Sequence, residues 1–567
     1  MKVCFGELEQ GWAGVSYRAR LKKALLLAAA CCLLVAPPMR LVAAQSSGAP
    51  SNTAPSNTAP SSGAPLSGAP DGSAQSSADA NTRITKAQAK ELFRSVDEIL
   101  KFDSDATKLP ILHPVKRKLT SREAVNKYVL KKFDEDESAK RMQRAEIVLK
   151  KFGLLDRDFN LRPFLVSLLT EQIAGFYDNK TKTVNLLDWI PAEQQKPVMA
   201  HELTHALQDQ HVDLETWGQQ GATDLAKNAA EDNQHIATDE TDDTRDAVLE
   251  GQAMLAFIDY SLRPYGKTVA TAPGMVSKFM DSMGDDSDSP VMARAPLLLQ
   301  QSLLFPYREG LNFERTLLMD RGTETAFAGA LDRPPTSSYE IMNPPAYLAH
   351  QPVPVLHMPD IHPLIDKDYA PYDVGVMGAL DVRILTQLFG GDQSADALTP
   401  AWDGGIYYAA QRKSAVTDAE KKSTASLALM YYSRWKNADS ARSFARVYAD
   451  ELARKYEVLK RRKADEQQID DAGAEREEQV YTTNEGDVLI VLVGRSVFIS
   501  EGFDLALARK LQALMSAAQA EGPIGIASAG KPGPMQPGSE LTLPLAAMLR
   551  SVGAMKAGLP QVSVSSR

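Results

Sequence analysis

The run "HELTHALQDQH", residues 201–211, is the stretch of this chain whose residue types and spacing can do chemistry. His201 and His205 lie four residues apart, about 40° around a helix, so both imidazoles leave one face on adjacent turns. That is the bite a tetrahedral zinc ion asks of two nitrogen ligands. Glu202 then stands beside the metal without ligating it. From there it can take a proton from metal-activated water and pass it to a leaving amine. With eight histidines in 567 residues, a chance HExxH match is expected only about 0.007 times. The plainer reading is a surface helix that carries two histidines. Against it, "VMAHELTHAL" is apolar, and paired His and Glu buried there without a ligand would be costly.

Two positions compete for the third ligand. His211 stands where the metzincin pattern HExxHxxGxxH puts its third histidine, but the position where that pattern needs Gly, so that the chain can turn sharply, is Gln208. If Ala206, Leu207 and Gln208 continue the helix, as their propensities favour, His211 lies about 240° around from His205 and faces away. The alternative is Glu250, the one charged residue in "AVLEGQAMLAFI" (247–258). A lone carboxylate in an otherwise buried helix needs compensation, and a metal would supply it, leaving the fourth position open. Gly251 beside it would let another helix come close. Glu231, His235 and Asp246 are further ligand candidates, and Asp246 or Asp209 could orient a ligand histidine.

The elements that must position these groups are mainly helical. "TSREAVNKYVLKKF" opens with a cap and a helical spacing, and "RPFLVSLLTEQ" reads as another helix. Residues 173–189 switch period: two apolar runs flank "DNKTK", a β-hairpin signature just upstream of the motif helix. The stretch 218–246 is polar and acidic. Residues 437–456 form an amphipathic helix, 485–503 a second hairpin and 504–515 a helix. The expected fold class is α+β, helix-rich: a zincin-like core of small sheet, HExxH helix and downstream Glu helix, with extra helical and small α/β lobes.

The ends read differently. "SYRARLKK" precedes the apolar run 24–36, and small residues at Val42 and Ala44 complete a signal peptide over 1–44. The apolar run is short for a bilayer span, so contact with a membrane is expected only in transit. Cys4, Cys31 and Cys32 all lie in this leader, so the mature chain would have neither disulfides nor thiolate sites. Removing the leader, with six basic and two acidic residues, takes the net charge from −9 to about −13. No basic stripe for nucleic acid remains. Residues 45–83 read as a disordered Ala/Pro/Ser/Gly tether and 516–567 as a low-complexity tail. Between them we expect an N-terminal helical region (84–165), the metal-binding core (166–265), a helical and loop-rich region (266–436) and a C-terminal α/β lobe (437–515).

Hairpin, "HELTHALQDQ" helix and a later "LEGQA" helix resemble the gluzincin group of zinc metallopeptidases, in particular exported bacterial proteins with HELTHALQDQ and a downstream E-G-x-A helix. The resemblance covers about 173–260. Less specifically, it extends to "FPYREGLNFERTLL", "RPPTSSYEIMNPPAYL" and "AWDGGIYY". It implies His201, His205 and Glu250 as zinc ligands and Glu202 as base. The strand 183–187 would be the edge that pairs with an extended peptide substrate. Met254 stands where many gluzincins have Asp, and no G-x-M-E-N motif is present.

An oxyanion donor would come from Tyr307, Tyr339 or Tyr347, Tyr307 first. His350, His357 and His362 form a His-rich loop with no standard metal spacing, and the acidic runs 239–246 and 284–289 read as solvated charge rather than calcium loops. The expectation is an exported zinc peptidase, periplasmic or extracellular, acting on peptides or proteins. Its rival is a non-catalytic exported binding protein with a structural or vestigial zinc site.

Overall fold

In this computed structural model, the described residues are 83–125, 127, 136–172, 175–217, 228–282, 290–462, 468–469 and 475–520. The leader, the tether up to residue 82, the acidic run 284–289 and the tail from 521 lie outside them. The chain is α+β and helix-rich. No helix among the described residues is long and apolar enough to cross a membrane.

A three-stranded sheet lies under the motif helix. β1 (Lys116–Thr120), β2 (Phe176–Asp178) and β3 (Thr183–Leu187) are ordered β1-β3-β2, with β1 parallel and β2 antiparallel to β3. The hairpin expected around "DNKTK" is thus formed, and Asp178 closes its turn by accepting from Lys180 N. One expectation fails. β3, the strand expected to offer a free edge to a peptide, is the central strand. Lys116–Thr120 occupies that edge, held by Thr120 Oγ1 donating to Asn185 Oδ1 at 3.0 Å. Three basic residues in five hide this strand, because only one of its faces is sheltered.

Helix α1 (Lys86–Thr107) starts with a reciprocal cap between Thr85 and Gln88. The end of β3 is tied to the motif helix, α3 (Ala192–Val212), by one buried amide. Gln195 accepts from Leu187 N and donates to Leu187 O and Ile190 O. Helix α4 (Thr241–Leu262) crosses both α3 and α5 (Leu297–Arg321). A Cβ added at Gly251 would lie 2.3 Å from Gly310 O, and one added at Gly310 would lie 2.2 Å from Ala247 O. Only glycine at both positions lets α4 and α5 approach so closely, as expected for Gly251.

The second half of the chain builds one large antiparallel sheet. Its strands are β4 (Tyr369–Val376), β5 (Trp402–Arg412), β6 (Leu427–Trp435), β7 (Leu459–Arg461), β8 (Gln468–Ile469), β9 (Glu475–Thr483), β10 (Gly486–Val493) and β11 (Ser496–Glu501). Their order is β4-β5-β6-β11-β10-β9-β7, with β8 on β9. Residues 266–436, expected to be helical and loop-rich, therefore contribute three strands. Both faces are buried, with Tyr407, Tyr431, Ile490 and Ile499 on one and Ile406, Tyr432, Leu489 and Phe498 on the other. A strand buried on both sides loses the polar alternation that would mark it in the sequence.

The first of these faces belongs to the same continuous core as the motif helix. Helix α2 (Asp136–Phe152) sets Phe152 against Tyr407 and Tyr431, beside α6 (Ala438–Lys455). The opposite face is covered by α7 (Leu505–Ala520) and the 356–365 segment.

Candidate metal centre

The HELTH residues occupy the middle of α3, which runs unbroken to Val212. It ends where Asp213 adopts φ 49° and donates its N–H to Asp209 O. Gln208 therefore stays helical. His211 is carried to the other side, with Nε2 3.0 Å from Asp332 Oδ1. The three-histidine alternative fails for the reason its missing glycine suggested.

Glu250 instead reaches the histidines. His201 Nε2 lies 3.1 Å from His205 Nε2 and 3.1 Å from Glu250 Oε2, and His205 Nε2 lies 3.6 Å from that oxygen. All three side chains are buried. Among the described residues this is the one His/Cys/Asp/Glu group whose ligand atoms converge, and it could hold a metal ion. Four ligands at zinc-like bond lengths of about 2.05 Å around a tetrahedron would be separated by about 3.3 Å. The three observed separations straddle that value. Glu250 Oε1 and His201 Nδ1 have no hydrogen-bond partner among the described residues, although both are buried. Two imidazoles and a carboxylate, crowded and dry, fit a divalent cation.

The electrostatics agree. Burial would raise the Glu250 carboxyl, but the charges of His205 and His201 hold it well below the usual range. Burial likewise works against a charged His205, yet Glu250 carries it up to about 9, while burial lowers His201. Without a cation, Glu250 and His205 act as an ion pair. A metal ion would take the place of the proton on His205 Nε2.

Glu202 is placed differently. Its Oε2 accepts from Tyr177 N at 2.8 Å, which fixes the side chain to β2, while Oε1 has no partner among the described residues. Burial pushes its carboxyl up to about 8. It is anchored through one oxygen and open through the other.

Tyr307, on α5, stacks on the His201 ring with centroids 6.4 Å apart. Tyr347 is tied elsewhere: its hydroxyl donates to Arg333 O. Tyr339 accepts from Asn343 and packs on Trp402. Glu231 and His235 do not join the group. Glu231 is exposed and accepts from Asn228, and His235 lies 3.5 Å from Asp239. Asp246 is buried one turn before Glu250 but also outside the converging group. Asp209 does not orient a ligand histidine, being occupied by Lys182 and Tyr177.

His350 accepts from Arg333, and His362 pairs with Asp232 at 3.0 Å, so the histidine loop gathers no second metal site. The run 239–246 is a correction. It is buried rather than solvated, and its residues are used structurally: Asp239 accepts from Val376 N, and Glu240 from Ser337 and Ser338.

Sequence reasoning missed four groups around the site. Tyr177 N–H holds Glu202. Gln208 Oε1 lies 2.8 Å from His205 Nδ1. Gln252 contacts Gln208, and Glu314, whose carboxyl burial raises well above its usual range, lies beside Gln252 on α5. Gln208 was findable: three residues after His205, it shares that face of the helix.

No protein-family model, curated protein or solved structure matches this chain.

Proposed function

We propose that the chain is a zinc metallopeptidase of gluzincin type, exported in its native setting. The observation that carries this reading is Glu202, a buried, singly anchored carboxyl next to a converging His₂Glu set. A structural zinc site needs no such neighbour. Nitrogen and oxygen donors in a compact trio, with no thiolate, suit zinc with an open coordination position. When bound, the ion would polarise a substrate carbonyl and make water acidic enough to attack at neutral pH.

The chain's own residues do the rest. Glu202 Oε1 accepts the proton from the attacking water and returns it to the leaving amine, while the Tyr177 N–H keeps Oε2 still. Tyr307, whose ring stacks on His201, is our candidate to donate to the developing oxyanion. Because β1 closes one side of β3, we assign the alignment of an extended peptide to β2, one of the two terminal strands of the sheet. It is the terminal strand on the Glu202 side.

Two observations favour the rival reading, a non-catalytic exported binding protein. The ligands are buried and the expected peptide-binding strand is paired on both sides. The test is hydrolysis of a broad peptide library by zinc-loaded protein. Glu202→Gln should retain its zinc and lose roughly 10²–10⁴-fold in rate. Wild-type protein that carries zinc but cleaves nothing would overturn the peptidase in favour of the binding protein.

A further inference from the structure

We propose that Gln208 and Gln252 form a two-amide relay that holds His205 in the tautomer presenting Nε2 to the metal and locks the histidine helix to the Glu250 helix. This rests on the metal-site reading above. The orientation of both amides follows from their partners. One end of Gln208 lies 3.0 Å from Leu249 O, a carbonyl that can only accept, so that end is the NH₂. The other end, facing His205 Nδ1, is then the oxygen. An amide oxygen accepts, so Nδ1 carries a proton, and in the neutral, metal-binding ring the lone pair is left on Nε2.

The same deduction fixes Gln252. Its nitrogen lies 2.9 Å from Ala326 O and 3.0 Å from Phe327 O, so its oxygen is the end that accepts from Gln208 at 2.9 Å. Each NH₂ spends both of its protons. The final acceptors come from a π-helical turn, Thr325–Gly329, whose wider winding offers carbonyls to a side chain.

The relay also reaches both sides of the third ligand. Gln208 bonds to Leu249 and Gln252, which flank Glu250, so the rotation of α4 that aims the carboxylate is set by the residue that aims His205. His201 has no comparable support: its Nδ1 lacks a hydrogen-bond partner among the described residues. The relay is neutral, so the ligand set keeps a single negative charge from Glu250.

The experiment measures the zinc dissociation constant of the full chain by chelator competition, together with the melting temperature of the metal-free form. The set is wild type, Gln208→Met, Gln252→Met, Gln208→Glu and Thr204→Val. Thr204 is a buried control on the same helix whose hydroxyl donates only locally, to Ala200 O. Gln208→Met and Gln252→Met should each weaken zinc binding roughly 10–100-fold. Gln208→Glu keeps an acceptor at Nδ1 but loses the NH₂ from which Leu249 O and Gln252 Oε1 accept, so it should recover only the share of the loss that comes from orienting His205, and Thr204→Val should bind as wild type does.

Gln208→Met binding zinc as tightly as wild type would overturn the relay. So would losses that merely follow melting temperature across all variants, Thr204→Val included. A wild type that bound no zinc would remove the metal-site reading itself, a distinct result.

Discussion

Two buried glutamates, Glu250 on the motif side and Glu501 at the end of β11, are solvated in opposite ways. Glu501 is saturated: Lys455 and Tyr448 donate to one oxygen and Tyr456 to the other. Burial would raise its carboxyl, but the charges of Lys455 and Lys151 keep it below the usual range. Glu250 faces two imidazoles instead, and its Oε1 has no hydrogen-bond partner among the described residues. A carboxylate whose lone pairs are filled by fixed donors is a structural cross-link, here joining α6 to the large sheet. One left with open lone pairs beside two nitrogen ligands is half of a binding site. Asp103 on α1 marks the boundary of this argument. It too is buried, with neither oxygen hydrogen-bonded among the described residues, but with no histidine in a converging group beside it burial simply raises its pKa.

The largest expected effect falls on the saturated side. Glu501→Ala strands the buried Lys455 ammonium and should cost about 3–5 kcal/mol in denaturant unfolding, with zinc stoichiometry of the folded fraction unchanged. Separating α4 from α5 comes next. Gly310→Ala places a methyl group against the Ala247 carbonyl. It should cost about 1–3 kcal/mol and, unlike Glu501→Ala, weaken zinc binding, because it displaces the Glu250 helix.

The pH dependence sharpens the contrast further. The folded-state pKa of Glu501 is depressed, so its contribution is complete above the ordinary value of 4.5 and lost as pH falls through the folded value. That of Asp103 is raised, so its contribution is present below 3.8 and lost as pH rises through the folded value. Melting curves of the metal-free protein should therefore show an acid limb that Glu501→Gln flattens. Asp103→Asn should stabilise the protein at neutral pH and above, and no gain there would contradict a pKa raised by burial. The smallest effect belongs to His211→Ala, a partly exposed pair with Asp332, at less than about 1 kcal/mol.

The sequence made the motif helix, its hairpin and the Glu250 helix legible because each follows from local rules: the four-residue spacing of two histidines, a polar turn between apolar runs, and one charge in an apolar helix. His211 was decided by local propensity too, since Gln208 prefers to stay helical. The large sheet was not legible over 369–435. Its strands are buried on both faces, so "GGIYYAA" and "LALMYY" carry no alternation, and the pairing of β6 with β11 is set by residues far along the chain. The displaced peptide edge has the same origin. Whether β3 has a free side depends on Lys116–Thr120, more than sixty residues earlier in the chain. The burial of 239–246 was hidden because acidic runs are solvated unless the fold supplies donors, and here Val376, Ser337 and Ser338 supply them.

The central claim is the ligand set, and zinc content per chain by mass spectrometry tests it most directly, comparing wild type with Glu250→Ala and His211→Ala. One zinc per chain in wild type and in His211→Ala, and none in Glu250→Ala, is the result this structure predicts. Zinc retained by Glu250→Ala and lost from His211→Ala would mean that α3 breaks at Gln208 after all, and the site described here would be wrong.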